Sequence, residues 1–128
     1  MNQPQHQTKF SAGADLTCSE TVTIAPNTTV LVKTGYYIEH RLEGLVYMLF
    51  ARSSIAYKKG LLLMNGVGVI DSDYTNEVLV MYRNVTNEDV TLDEGERIAQ
   101  IVPMNYVLGE YPVKDAERKG GFGSSGTH

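Results

Sequence analysis

Between residues 21 and 104 the chain offers short apolar or alternating runs, punctuated by turn formers, and very little else. Thr21-Val22-Thr23-Ile24 alternates, Pro26-Asn27 reads as a turn, and Thr29-Val30-Leu31-Val32 alternates again. Further runs cover residues 36–38, 45–50, 61–64, 78–82, 90–92 and 98–104. A period of two is that of a strand with one face buried. Asn84, Asn87-Glu88-Asp89 and Asp93-Glu94-Gly95 supply breaks between runs. Only residues 53–59 read as helix, a turn or two at most. Parallel βαβ units need a helix between strands, so this pattern predicts an all-β sandwich or barrel. With 128 residues the chain fits one domain that buries roughly two-thirds of its unfolded surface.

Chemistry concentrates in residues 64–78, Met-Asn-Gly-Val-Gly-Val-Ile-Asp-Ser-Asp-Tyr-Thr-Asn-Glu-Val. The apolar arms, 61–64 and 78–81, read as strands closing a hairpin, with Asn65, Asp71 and Tyr74 at its lip. Backbone groups without strand partners there can bind a small planar ligand. Glycine inside strand-like sequence marks a bulge or a close approach of backbone. The same residues equally suit a plain turn whose Asp and Asn bond their own backbone.

Charge and cysteine usage narrow the partners. The net charge is -4 and no Lys/Arg run appears, which argues against a nucleic-acid partner. Cys18 is the only cysteine, so no internal disulfide forms and a reducing, cytoplasmic setting is expected. The first eight residues are polar and carry no apolar core of a signal peptide. No apolar run reaches the length of a membrane span. His6, His40 and His128 lack metal-ligand spacing, so no zinc site is expected. After Pro112 the composition changes: four glycines, two serines and one phenylalanine fall in residues 113–126. That segment reads either as a disordered end or as a flexible lid with Phe122 and Arg118 as its contacts. The expected organisation is one β domain over residues 1–112 and a C-terminal arm over 113–128.

Five segments in order then carry a resemblance: Ala12-Gly13-Ala14-Asp15-Leu16, Ala51-Arg52-Ser53-Ser54, the 64–78 stretch, Gly95-Glu96-Arg97-Ile98-Ala99-Gln100, and Arg118-Lys119-Gly120-Gly121-Phe122-Gly123-Ser124-Ser125-Gly126. Together they resemble the trimeric dUTP diphosphatase (dUTPase) family over nearly the whole chain. The resemblance implies a distorted, jelly-roll-like β-barrel of short strands and a homotrimer with active sites at subunit interfaces. It implies hydrolysis of dUTP to dUMP and pyrophosphate with Mg²⁺, which lowers dUTP and supplies dUMP for thymidylate synthesis. The location implied is the cytoplasm, or that of an infected host cell for a viral source. The glycine-rich arm would close over the nucleotide. Three positions depart from the family pattern: Ala51 replaces a usual proline, Asn76 stands where glycine is common, and only Lys119 separates Arg118 from the Gly-Gly-Phe run.

Roles follow from the resemblance. Asp71 resembles the general base that deprotonates water for attack on the α-phosphorus. Tyr74 resembles the ring under the deoxyribose that excludes a 2′-hydroxyl. Asn65 resembles the reader of the uracil edge, with backbone from Gly66 to Ile70, including Gly68, completing the hydrogen bonds. Arg52, Ser53, Ser54 and Arg118 would meet the triphosphate, which carries about four negative charges. Asp15 and Gln100 would act on Mg²⁺ through water, since Mg²⁺ keeps several waters. Phe122 would stack on the uracil, with Gly123 and Ser124 beside it. Arg97 reads as a brace for the loop around Glu94 and Glu96.

Two rivals stand against this. A dCTP deaminase shares the fold and an Arg-Ser-Ser segment, but needs an arginine where this chain has Tyr57 and a glutamate where it has Met81. The second rival is a trimeric binding or regulatory module that keeps the fold and either retains or has lost turnover. Asp71, Tyr74 and Gln100, all retained here, argue against lost activity.

Overall fold

A computed structural model describes residues 2–39 and 42–114 of the chain. The strands are β1 (Ala14–Thr17), β2 (Val22–Ile24), β3 (Thr29–Lys33), β4 (Leu45–Ala51), β5 (Leu61–Leu63), β6 (Gly68–Ile70), β7 (Leu79–Asn84), β8 (Val90–Leu92) and β9 (Arg97–Asn105). One helix, α1 (Ser53–Lys59), stands between β4 and β5 and is closed by the Gly60 N–H on the Ala56 carbonyl. The strands form three antiparallel sheets, ordered β1-β9-β4-β6, β2-β8 and β3-β7-β5. Among the described residues the expected all-β architecture with a single short helix is what the chain adopts. Among the described residues no helix is long and apolar enough to cross a membrane.

Alternation explains the core. Ala14 and Leu16 of β1, Leu49 of β4, and Ala99 and Ile101 of β9 share one face and are buried. They meet Ile24, Val32, Val80, Tyr82 and Leu92 from the smaller sheets in one apolar cluster. At roughly 1.5–3 kcal/mol per fully buried large side chain, that cluster is the main source of stability. The opposite face of the four-stranded sheet is also apolar yet uncovered. Register sets Met48 against Val69 and Val102, and Val46 against Met104. Val69 is 62% exposed and Met104 47%.

Three sequence expectations are corrected. Residues 36–38 form no strand: the Tyr36 N–H bonds the Thr34 hydroxyl and the Tyr36 carbonyl accepts from Val78, which fixes this segment without a ladder. Residues 14–17 and 68–70, which the periodicity left unassigned, are strands. Asp15 interrupts the apolar pattern of the first, and the second is only three residues long and begins with Gly68. The arms of the 64–78 stretch do pair, as β5 with β7, and the Met64 N–H extends the ladder to the Met81 carbonyl. Between them, however, β6 leaves that hairpin and joins the four-stranded sheet along β4.

Candidate active site

The hairpin tip is built by backbone. The Gly66 N–H bonds the Leu63 carbonyl (2.9 Å) and the Val67 N–H the Asn65 carbonyl (2.8 Å), turning the chain tightly at a left-handed Gly66 (φ 73°). Gly68 then lies so close over Leu49 that an added Cβ would sit 3.0 Å from the Leu49 Cβ. Its lack of a side chain therefore lets β6 press onto β4. A cavity of about 190 Å³ opens beside this approach, lined by Leu49, Asn65, Gly68, Val69, Ile70, Tyr74, Val78 and Leu79. Of the three residues expected at the lip, Asn65 and Tyr74 thus share one apolar slot with Gly68 and Ile70, whose backbone is expected to complete the base contacts. An apolar slot with a few polar groups is the common form of a small-molecule site.

Tyr74 is fixed rather than free at this slot. It is buried, its hydroxyl donates to the Glu77 carbonyl (2.7 Å) and its N–H to the Asp71 carbonyl (3.1 Å). Glu77 in turn accepts the Gly35 N–H on its carboxylate (2.8 Å), which ties the loop to the rest of the barrel. Asn76 lies in this loop without a left-handed φ, so the glycine it replaces is not required here.

Asp71 follows Ile70 directly and does not line the slot. It is exposed and lines a neighbouring groove with Val46, Met48, Val69, Ser72, Asp73, Tyr106 and Leu108. That groove runs along the uncovered apolar face of the four-stranded sheet.

A second cluster forms at the far end of that sheet. Asp15 on β1, Gln100 on β9 and Phe50 on β4 occupy one row of the ladder and so share a face. Asp15 is buried and holds two guanidiniums, Arg97 at 3.3 Å and Arg52 at 3.6 Å. Arg52 also donates to the Arg97 carbonyl (3.1 Å). Gln100 donates to the Ala51 carbonyl (3.1 Å), and its Oε1 packs so near Gly13 that any Cβ there would collide with it. Ser53 and Ser54 open α1 directly after Arg52.

Arg97 departs from expectation. It does not brace Glu94 and Glu96, because Lys59 takes Glu96 at 2.8 Å and the Glu94 N–H bonds Thr21. Arg97 turns instead to Asp15. Burial works against ionisation of Glu96, yet the Lys59 ammonium, the Asp93 amide and the charges of Lys59 and Arg52 hold its carboxyl below the usual value. Burial pushes the Tyr82 phenol up to about 12, with a backbone hydrogen bond and the charge of Arg52 opposing.

The chain therefore brings Asn65, Gly68, Ile70 and Tyr74 together at the slot, and separately gathers Asp15, Arg52 and Gln100 at the far end of the sheet. Arg118, Phe122, Gly123 and Ser124 lie outside the described residues, as does most of the arm assigned to 113–128. Of the positions that weigh against a deaminase, Tyr57 is 90% exposed and Met81 lies in β7 opposite Leu31.

A dUTPase family model matches residues 1–126. The deoxyuridine 5′-triphosphate nucleotidohydrolase of Lactococcus lactis is 40% identical, over 98% of this chain and 89% of its own length. The protein of the same name from Desulfitobacterium hafniense is 43% identical, over 96% of this chain and 86% of its own. Among solved structures, the dUTPase of Streptococcus mutans superposes with a TM-score of 0.77 at 40% identity, covering 84% of this chain and 88% of that one. Family match, near-complete sequence coverage and fold agree, and the chain belongs to the dUTPase family.

Proposed function

We propose that this chain hydrolyses dUTP to dUMP and pyrophosphate. The observation that carries this reading is the slot lined by Asn65, Gly68, Ile70 and Tyr74, with Asp71 in the groove beside it. Uracil fits a slot edged by fixed donors and acceptors. Cytosine would leave buried groups mispaired, at about 1–3 kcal/mol each. Thymine would bring its 5-methyl against the close backbone around Gly68. The Tyr74 ring, held by Glu77, would lie under the deoxyribose and leave no room for a 2′-hydroxyl.

In the reaction Asp71 takes a proton from water as its oxygen bonds the α-phosphorus, and the bond from that phosphorus to the bridging oxygen breaks. Pyrophosphate leaves with that oxygen. Arg52, with Ser53 and Ser54, would bind the triphosphate as charge develops on it. Asp15 would keep the Arg52 guanidinium aimed at the phosphates.

The donor set also suits Mg²⁺. Among the described residues no group of three or more His, Cys, Asp or Glu side chains is placed to hold a metal alone. A single buried carboxylate beside Gln100 matches an ion that draws most of its oxygens from phosphate and water. Asp15 and Gln100 would hold its water shell, and the bound ion would neutralise phosphate charge.

A homotrimer would explain why the two residue groups stand apart in one chain. The face bearing Val46, Met48, Val69, Val102 and Met104 is apolar, and Asp71, Asp15 and Gln100 all lie along it. A second copy covering that face would bury apolar surface and close a site from two sides. The arm with Arg118, Phe122, Gly123 and Ser124 would then close over the nucleotide.

The test is pyrophosphate release from dUTP in Mg²⁺ and ¹⁸O-water, with deamination of dCTP followed in parallel. Pyrophosphate released with the label in dUMP is expected. Label in pyrophosphate would move the attack to the β-phosphorus, and dUTP formed from dCTP would favour the deaminase.

A further inference from the structure

Residues 71–78, between β6 and β7, belong to no ladder, yet Tyr74 among them is only 7% exposed. The far half of this loop is clasped by residues 34–36, which directly follow β3. The buried Thr34 hydroxyl donates to the Val78 carbonyl, and the Val78 N–H donates to the Tyr36 carbonyl (2.9 Å). Beside them the Gly35 N–H donates to the Glu77 carboxylate (2.8 Å). Asn2 braces the clasp from behind, with its N–H on the Gly35 carbonyl (3.2 Å) and its side-chain amide on the Thr34 carbonyl (2.8 Å). Glu77 thus works at two ends. Its side chain is seated on Gly35, while its main-chain carbonyl accepts the Tyr74 phenol (2.7 Å). A buried phenol needs such an acceptor, and here a charge-assisted bond fixes the residue that supplies it.

We infer that Glu77 is a positioning residue for the choice of deoxyribose over ribose, its carboxylate setting the height of the Tyr74 ring through the Gly35 amide. The assignment rests on the reading that this ring lies under the sugar. Glu77 does not line the slot and acts through Tyr74 alone. A 2′-hydroxyl is excluded only while the ring stays raised against the sugar. Close-packed surfaces turn a small displacement into a large change in what fits, so a tether behind the ring governs selectivity in front of it. Release of the Glu77 carboxylate would free its peptide to swing, and the phenol would follow its acceptor.

The experiment is calorimetric titration of the α,β-imido analogues of dUTP and UTP, with Mg²⁺, into the full chain. The proteins are wild type, Glu77→Ala, Glu77→Gln, Tyr74→Ala, Tyr74→Phe and the Glu77→Ala, Tyr74→Phe double variant. The readout is the ratio of the two Kd values, which a loss of folded protein does not move because it lowers both stoichiometries alike. Glu77→Ala should narrow the preference for the deoxy analogue roughly tenfold. Glu77→Gln, whose amide oxygen still accepts from Gly35, should keep most of it. The double variant should lose little more than Tyr74→Phe, since both changes cut one tether. A wild-type ratio in Glu77→Ala, with the ratio lowered in Tyr74→Ala, would overturn the role of Glu77 and leave Tyr74 under the sugar. Additive losses in the double variant would also overturn it, as would a Glu77→Gln as permissive as Glu77→Ala. An unmoved ratio in Tyr74→Ala, or neither analogue bound by wild type, would sink the sugar reading and this assignment together. Lost discrimination in Glu77→Ala in a protein that leaves dUTP intact would sink the reaction and spare Glu77.

Discussion

The slot behind the hairpin tip and the corner around Asp15 are made of different materials. The slot is shaped by main chain: a left-handed Gly66, a Gly68 pressed on Leu49, and a tyrosine tied to a backbone carbonyl. The corner is shaped by charge, with one buried carboxylate steering two guanidiniums and a lysine held by Glu96. The contrast matches the two ends of the proposed ligand. A neutral base is told apart by edge and volume, which packed backbone supplies without side-chain entropy. A polyphosphate is told apart by charge density, which only ionised side chains and a metal ion supply. Salt should accordingly weaken phosphate binding at the corner and leave recognition of the base alone.

Substitutions at the two regions should separate in kind as well as size. The largest effect belongs to Asp71→Asn, which removes the base and keeps the shape. Turnover should fall about 10²–10⁴-fold with dUTP binding retained, measured by single-turnover kinetics and equilibrium titration. An unchanged kcat would move the base elsewhere.

Asp15→Asn comes next. It frees both guanidiniums and removes the charge beside Gln100, so kcat/KM should drop about 10–100-fold, most at low Mg²⁺. A drop that is the same at every Mg²⁺ concentration would detach Asp15 from the metal.

Gly68→Ala is a packing change. Its methyl would meet the Leu49 side chain, costing about 1–3 kcal/mol and pushing β6 off β4. A lower Tm together with weaker discrimination against dTTP is expected. Lost stability with discrimination intact would separate the strand pairing from the slot.

The smallest effect is the titration of Glu96. Its folded pKa lies below the ordinary 4.5, so its contribution is complete above that value and is lost as pH falls through the lower folded one. Stability of Glu96→Gln should therefore be flatter with pH in this acid window, by less than about 1 kcal/mol for a partly exposed pair. A wild-type profile equally flat would show that Lys59 does not hold Glu96 in solution.

Much of the fold could be read from residue order because local signals agreed with the final packing. The helix lies at the expected residues, and every alternating run but one is a strand. The failures share a cause. Residues 36–38 look like a strand, yet their backbone is satisfied by Thr34 and Val78 rather than by a neighbour in a ladder. The strands at 14–17 and 68–70 are fixed by pairing partners far away in sequence, which no local window contains. The slot residues were readable because turn glycines and polar residues cluster within a few positions. The bond of Arg97 to Asp15 spans 82 positions, so proximity to Glu94 and Glu96 misdirected the reading.

The most direct test is a crystal structure of the protein with a non-hydrolysable dUTP analogue and Mg²⁺. The expected result has uracil against the backbone of residues 66–70, the deoxyribose on Tyr74, Asp71 within reach of a water facing the α-phosphorus, and the phosphates on an Arg52 from the same or a neighbouring copy. A base bound outside that slot, or a slot filled by the protein's own side chains with nucleotide present, would contradict it.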